Sequence, residues 1–142
     1  MAALNTPAQR TLVISGRATT IDGPERATSV TLLSGCGDTL AIRSSSTGHF
    51  HFRVPHHATY VVHFEQAGRL TKEVVVDASQ MPLTRNAYRL RHIRFNVLME
   101  EGDPSVHLRY ANPVGYIGFR PRSGRVNVVY DYAMETSTSE VR

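Results

Sequence analysis

The feature that most constrains this chain is an apolar period of two, repeated from Thr11 to Met99. Leu12 and Ile14 alternate with Val13 and Ser15. The same alternation runs through Val30-Thr31-Leu32 and Leu40-Ala41-Ile42. It continues in His49-Phe50-His51-Phe52-Arg53-Val54 and Tyr60-Val61-Val62-His63-Phe64, then in Val74 and Val76, and in Ile93, Phe95, Val97 and Met99. A side chain that changes face at every residue belongs to a half-buried strand. Turn signals separate the runs: Asp22-Gly23-Pro24, Ser34-Gly35-Cys36-Gly37-Asp38, Thr47-Gly48, Pro55 and Ala67-Gly68. Short strands at this spacing predict an all-β, antiparallel Greek-key β-sandwich of about seven strands. No long segment carries a helical period, although Asp77 to Pro82 has room for one helical turn.

The inward set follows from the alternation: Ile14, Val30, Leu32, Leu40, Ile42, Phe50, Phe52, Tyr60, Val62, Phe64, Val74, Phe95 and Val97. Tyr88 and Leu90 fall on even positions, whereas Ile93 onward uses odd ones. A straight strand does not tolerate that slip, so a bulge near Arg91-His92 or a break into two strands is expected.

The sandwich is assigned to residues 11–99. Residues 100–134 read as a C-terminal extension that packs along it: Val106, Leu108, Tyr116 to Phe119 and Val126 to Tyr130 are too apolar for a free tail. Gly115, Gly118, Pro121 and Gly124 break them too often for a helix. Residues 1–10 and 135–142 read as flexible tails. An extension of this kind covers a sheet edge of its own chain or adds a strand to a neighbour. A monomer is favoured over a strand-exchanged oligomer.

With 142 residues and 41% hydrophobic content, there is enough material for one core. No run reaches the roughly 18 apolar residues of a membrane-spanning helix. Residues 1–10 lack the apolar stretch of a signal peptide, which fits a cytoplasmic protein or an exported one whose leader is absent from this chain. Cys36 is the single cysteine. It excludes an intrachain disulfide and reads as an inert turn thiol. The arginines are spread along the second half of the chain and form no single block, so the net charge of +4 reads as a solubility feature first and as weak attraction to acidic surfaces second.

The strand motifs also carry a resemblance. Ile14-Ser15-Gly16-Arg17-Ala18, Val30-Thr31-Leu32, Thr47-Gly48-His49-Phe50-His51-Phe52 and Tyr60-Val61-Val62-His63-Phe64 together resemble the carboxypeptidase regulatory-like domain. Ala67-Gly68-Arg69-Leu70-Thr71-Lys72 is similar to a segment of exported Bacteroidetes members. So are Asn112-Pro113-Val114-Gly115-Tyr116-Ile117-Gly118-Phe119 and Val128-Val129-Tyr130-Asp131-Tyr132-Ala133. Two positions depart from the pattern. Ser45 or Ser46 replaces the usual Asp before the hairpin glycine, and Arg69-Leu70 stands where an aromatic is common. The resemblance implies a transthyretin-like sandwich that is not an enzyme and binds no cofactor. It further implies a structural or protein-interaction module of the bacterial envelope, periplasmic or at the cell surface.

If the runs 49–54 and 60–65 form one hairpin, His51 faces His63 and His49 faces Glu65 on the outward side. His49, His51, His63 and Glu65 then make a candidate metal set of the kind that zinc, copper or nickel takes. A solvated polar face is the plainer reading of the same residues. His56-His57 falls in the intervening loop, where it reads as exposed. A carbohydrate-binding outward strand face remains an alternative, although the chain has no Trp. Neither a G-x-S-x-G elbow nor a phosphate-binding glycine loop occurs. Arg85, Arg89, Arg91 and Arg94 interleave with Tyr88 and Phe95, but the aromatics are expected inward, so no nucleic acid partner is expected.

Overall fold

A computed structural model describes residues 11–20, 27–55, 57–80, 91–101, 108–120 and 125–136. No helix occurs among them. Seven strands lie within the predicted sandwich region: β1 (Thr11–Thr20), β2 (Thr28–Ser34), β3 (Thr39–Ser45), β4 (His49–Pro55), β5 (Thr59–Gln66), β6 (Lys72–Asp77) and β7 (Arg91–Met99). The later part adds β8 (Leu108–Tyr110), β9 (Gly115–Phe119), β10 (Val126–Tyr130) and β11 (Met134–Thr136).

The strands form two main sheets. One has three strands in the order β4-β1-β7, and the other six in the order β10-β9-β6-β5-β2-β3; β8 and β11 make a small separate ladder. The inner faces meet in one apolar core containing Leu12, Ile14, Val30, Leu32, Phe50, Phe52, Val62, Phe64, Val76 and Met99. Phe50 lies edge-on to Phe64 at 5.1 Å across the interior, and both contact the half-buried Phe95. The chain is thus an all-β sandwich. Its strand order differs from the immunoglobulin arrangement, in which the first, second, fourth and fifth strands share a sheet.

Two pairings are parallel rather than antiparallel: β1 with β7, and β6 with β9. Each joins strands far apart in sequence, where no tight turn imposes an antiparallel neighbour.

Close packing explains two glycines. A Cβ on Gly16 would sit 1.6 Å from the Phe95 carbonyl oxygen. One on Gly48 would sit 2.1 Å from the Ala18 carbonyl oxygen, and Gly48 also holds φ at +83°. No other residue fits either place without moving a strand.

Two of the expected inward residues point outward. Leu40 is 50% and Ile42 58% exposed. Directly opposed residues share a face. Because Val30 opposes Arg43 and Leu32 opposes Ala41, the small and the charged side chains of β3 turn inward. The Arg43 guanidinium lies 5.6 Å above the Phe52 ring and covers the core's open side with its aliphatic stem. Β3 is an edge strand, where the facing sheet is too narrow to demand large apolar side chains.

β7 begins at Arg91 and buries Ile93, Val97 and Met99. Arg91 and His92 pair in unbroken register with Leu12 and Val13, so the bulge expected there does not form; Tyr88 and Leu90 lie outside the described residues, as do Pro82, Val106 and His56. Ser79 and Gln80 form a turn.

Within the later part of the chain, β9 lies beside β6, with Val74 opposite Gly115 and Val76 opposite Ile117. Val114, Ile117 and Phe119 are buried by that contact. β10 then becomes the outer strand.

Candidate functional site

The expected histidine hairpin does not form. β4 pairs with β1 and not with β5, while β5 pairs with β2 and β6. The chain crosses from one sheet to the other between Pro55 and Thr59. There the Tyr60 hydroxyl donates to the Pro55 carbonyl, and His57 takes the left-handed conformation at φ 69°. Phe50 and Phe64 do meet, but through the core. Their neighbours His49 and His51 therefore leave the three-stranded sheet, and His63 and Glu65 leave the six-stranded one. Two stacked sheets stand about 10 Å apart, so His49, His51, His63 and Glu65 cannot share an ion. Among the described residues, no three His, Cys, Asp or Glu side chains are placed so that they could hold a metal ion.

His63 instead meets two carboxylates on its own sheet. Its Nδ1 lies 2.9 Å from Glu73 Oε2 and its Nε2 lies 2.7 Å from Glu65 Oε1. Partial burial opposes the imidazolium, but the two hydrogen bonds outweigh it and raise the His63 pKa above its ordinary value.

A deeper feature lies on the opposite side of the six-stranded sheet. The three-stranded sheet stops at β7, whereas the six-stranded sheet continues beneath it through β6, β9 and β10. The mismatch leaves a groove of about 920 Å³ beside β7, floored by Val74, Val114, Ile117, Val126 and Val128. The backbone of β7 forms its wall. The Phe95 carbonyl faces Gly16 on β1, while the Leu98 carbonyl faces the groove, where the Lys72 ammonium donates to it at 2.5 Å. Backbone groups alternate sides along a strand. Arg94, Asn96 and Leu98 therefore turn their N–H and C=O groups toward the groove. Among the described residues, no strand pairs with that edge.

One end of the groove is closed by an ion pair. Lys72 is 4% exposed and its Nζ lies 2.6 Å from Glu100 Oε1. The Tyr110 hydroxyl donates to the same oxygen at 2.6 Å. The ammonium also lies 5.3 Å from the Tyr110 ring and 6.0 Å from the Tyr132 ring. The bonds from Lys72 and Tyr110 hold the Glu100 carboxyl below its ordinary range. Burial and the neighbouring carboxylate hold the Tyr110 hydroxyl protonated well above its own. Period two placed Lys72 and Glu100 on no common surface, because Lys72 begins β6 and Glu100 follows β7, in two sheets that meet only when they stack.

Comparison with known proteins adds little. No family model and no curated sequence matches. Among solved structures, the chain is similar to the one described as the crystal structure of S.CueP. The sequence identity is 7% and the TM-score 0.43, over 66% of this chain and 64% of that chain, which is less than two thirds of that chain's length. No helix among the described residues is long and apolar enough to cross a membrane.

Proposed function

We propose that this chain is a non-catalytic protein-interaction module that receives an extended segment of a partner protein along the edge of β7 with which no described strand pairs. The observation that carries the reading is the β7 groove. A row of backbone donors and acceptors faces an apolar floor, and that combination suits an added strand better than any compact ligand. Main-chain hydrogen bonds supply affinity in this mode, and pockets for alternate side chains supply selectivity. The ligand is a peptide with apolar residues at every second position, pointing at Val74, Ile117 and Val128.

The resemblance to carboxypeptidase regulatory-like domains supports the same reading. Seven strands in two facing sheets fit its transthyretin-like sandwich, and the family's envelope members imply an exported, periplasmic or surface location for this chain.

Peptide display against the protein tests the proposal. Selected ten-residue peptides should share the period of two and should protect the Arg94, Asn96 and Leu98 amides from exchange. Val128→Lys, which places a charge on the groove floor, should abolish their binding. Selected peptides that bind Val128→Lys unchanged would show that the groove is not the site.

A further inference from the structure

The outer face of the three-stranded sheet has a composition unlike the rest of the surface. Strands β1, β4 and β7 together hold Arg17, Arg53, Arg91, Arg94, His49, His51 and His92, and not one Asp or Glu. The register sets nine of the outward positions in three complete rows, flanked by Thr11 with Pro55 and by Thr19 with Leu98. Val13 lies between Arg53 and His92, Ser15 between His51 and Arg94, and Arg17 between His49 and Asn96. Val13 and Ser15 are buried as a floor, whereas Arg53, Arg94, His49, His51, His92 and Asn96 are exposed. A depression of about 690 Å³ lies over the Ser15 and Arg17 rows, and Arg43 reaches its rim. Among the described residues, no carboxylate lines it. The acidic residues Glu65, Glu73 and Asp77 stand on the six-stranded sheet, so the two broad faces of the sandwich differ in sign.

We propose that this face binds an acidic polysaccharide, one bearing a carboxylate or sulfate on successive sugars. The proposal is independent of the β7 groove. Rows about 4.8 Å apart across the strands and about 6.8 Å apart along them present repeated cationic groups to a repeating anion. Arginine forks match carboxylate and sulfate oxygens with paired hydrogen bonds. Ser15, Asn96 and the imidazoles add neutral donors and acceptors suited to the hydroxyls between charges.

Other polyanions fit less well. Single-stranded nucleic acid needs aromatic platforms for its bases, and the nine positions hold none. A three-stranded face is too broad for the duplex major groove, which admits one helix or a two-stranded ribbon. A membrane surface calls for several exposed apolar anchors, whereas here Val13 is buried and Leu98, at the end of β7, is 37% exposed.

The test is titration calorimetry of the full chain with oligogalacturonate and with heparin oligosaccharide, the two arms separating uronate from sulfate recognition. Duplex DNA, polyglutamate and anionic vesicles serve as competitors of equal charge. At least one glycan should bind more tightly than all three. Arg53→Gln combined with Arg94→Gln should weaken glycan binding about thirtyfold. Arg120→Gln with Arg125→Gln, the same charge change beside β9 and β10 of the other sheet, should leave it within about twofold. Amide shifts in the wild-type protein supply a readout independent of folding in the variants, and they should concentrate at residues 13–17, 49–53 and 92–96. The proposal fails if neither glycan binds, if a competitor binds as tightly, if both double variants lose affinity equally, or if the shifts fall elsewhere.

Discussion

Removing the Glu100 carboxylate should cost more stability than removing the lysine it serves. In Glu100→Ala the Lys72 ammonium stays buried at 4% exposure, with only the Leu98 carbonyl and two tyrosine faces for company. The Tyr110 hydroxyl loses its acceptor as well. Leaving one partner of a buried ion pair uncompensated costs about 3 to 5 kcal/mol. Glu100 keeps 43% of its side chain exposed, so water already screens part of the attraction and the lower value applies, about 3 kcal/mol. Lys72→Met removes the charge that needs a partner and fills much of the same volume, at about 1 kcal/mol. The double variant should therefore resemble Lys72→Met alone, which gives a coupling of about 2 to 3 kcal/mol. Urea unfolding followed by circular dichroism reads all four proteins. With a slope of about 2 kcal/mol per molar, the Glu100→Ala midpoint falls by about 1.5 M. The pH dependence has a definite sign. Because the folded state holds the Glu100 carboxyl below its ordinary 4.5, the stabilisation is complete above pH 4.5. It is lost as the pH falls through the folded value. The gap between wild type and Glu100→Ala should close in acid. Additive single effects, or a Glu100→Ala midpoint equal to wild type at pH 7, would refute the account of this cluster.

Gly48→Ala should destabilise the protein by more than about 2 kcal/mol, since both the 2.1 Å approach to Ala18 and the +83° φ oppose a side chain, and a chemical melt reads the loss. Phe64→Ala should cost about 3 to 5 kcal/mol at the centre of the aromatic cluster, whereas Leu40→Ser and Ile42→Ser should stay within about 0.5 kcal/mol; equal losses would mean that the β3 register is inverted. The raised His63 pKa means that its two carboxylates stabilise the fold below the unfolded pKa, and that the gain disappears as the pH rises through the folded one. Proton NMR titration of His63 in wild type and Glu73→Gln should show the variant's midpoint at lower pH.

The sequence made individual strands legible and their neighbours much less so. Period two identifies Phe50, Phe52, Val62 and Phe64 as inward because that property depends only on each strand's own pattern. It does not say whether two inward faces lie side by side or confront each other. Phe50 and Phe64 satisfy both pictures, and the hairpin that would have joined His51 to His63 rested on the wrong one. In β3 the same pattern failed outright. Leu40 and Ile42 mark the apolar face, yet the β2 register and the edge position turn Ala41 and Arg43 inward. The basic face was invisible for a further reason. Arg17, Arg53 and Arg94 are each ordinary residues about 40 positions apart, and only the order β4-β1-β7 assembles them. The groove depends on one sheet having more strands than the other, a property no local window contains.

The most direct test of the account is residue-resolved hydrogen exchange along β7 in the free protein. An open edge predicts that the amides of Arg94, Asn96 and Leu98 exchange rapidly, while those of Ile93, Phe95 and Val97, bonded to β1, exchange at rates set by opening of the sandwich. Uniform slow exchange from Ile93 to Leu98 would mean that another strand already occupies the edge, and the groove would then not be a binding site.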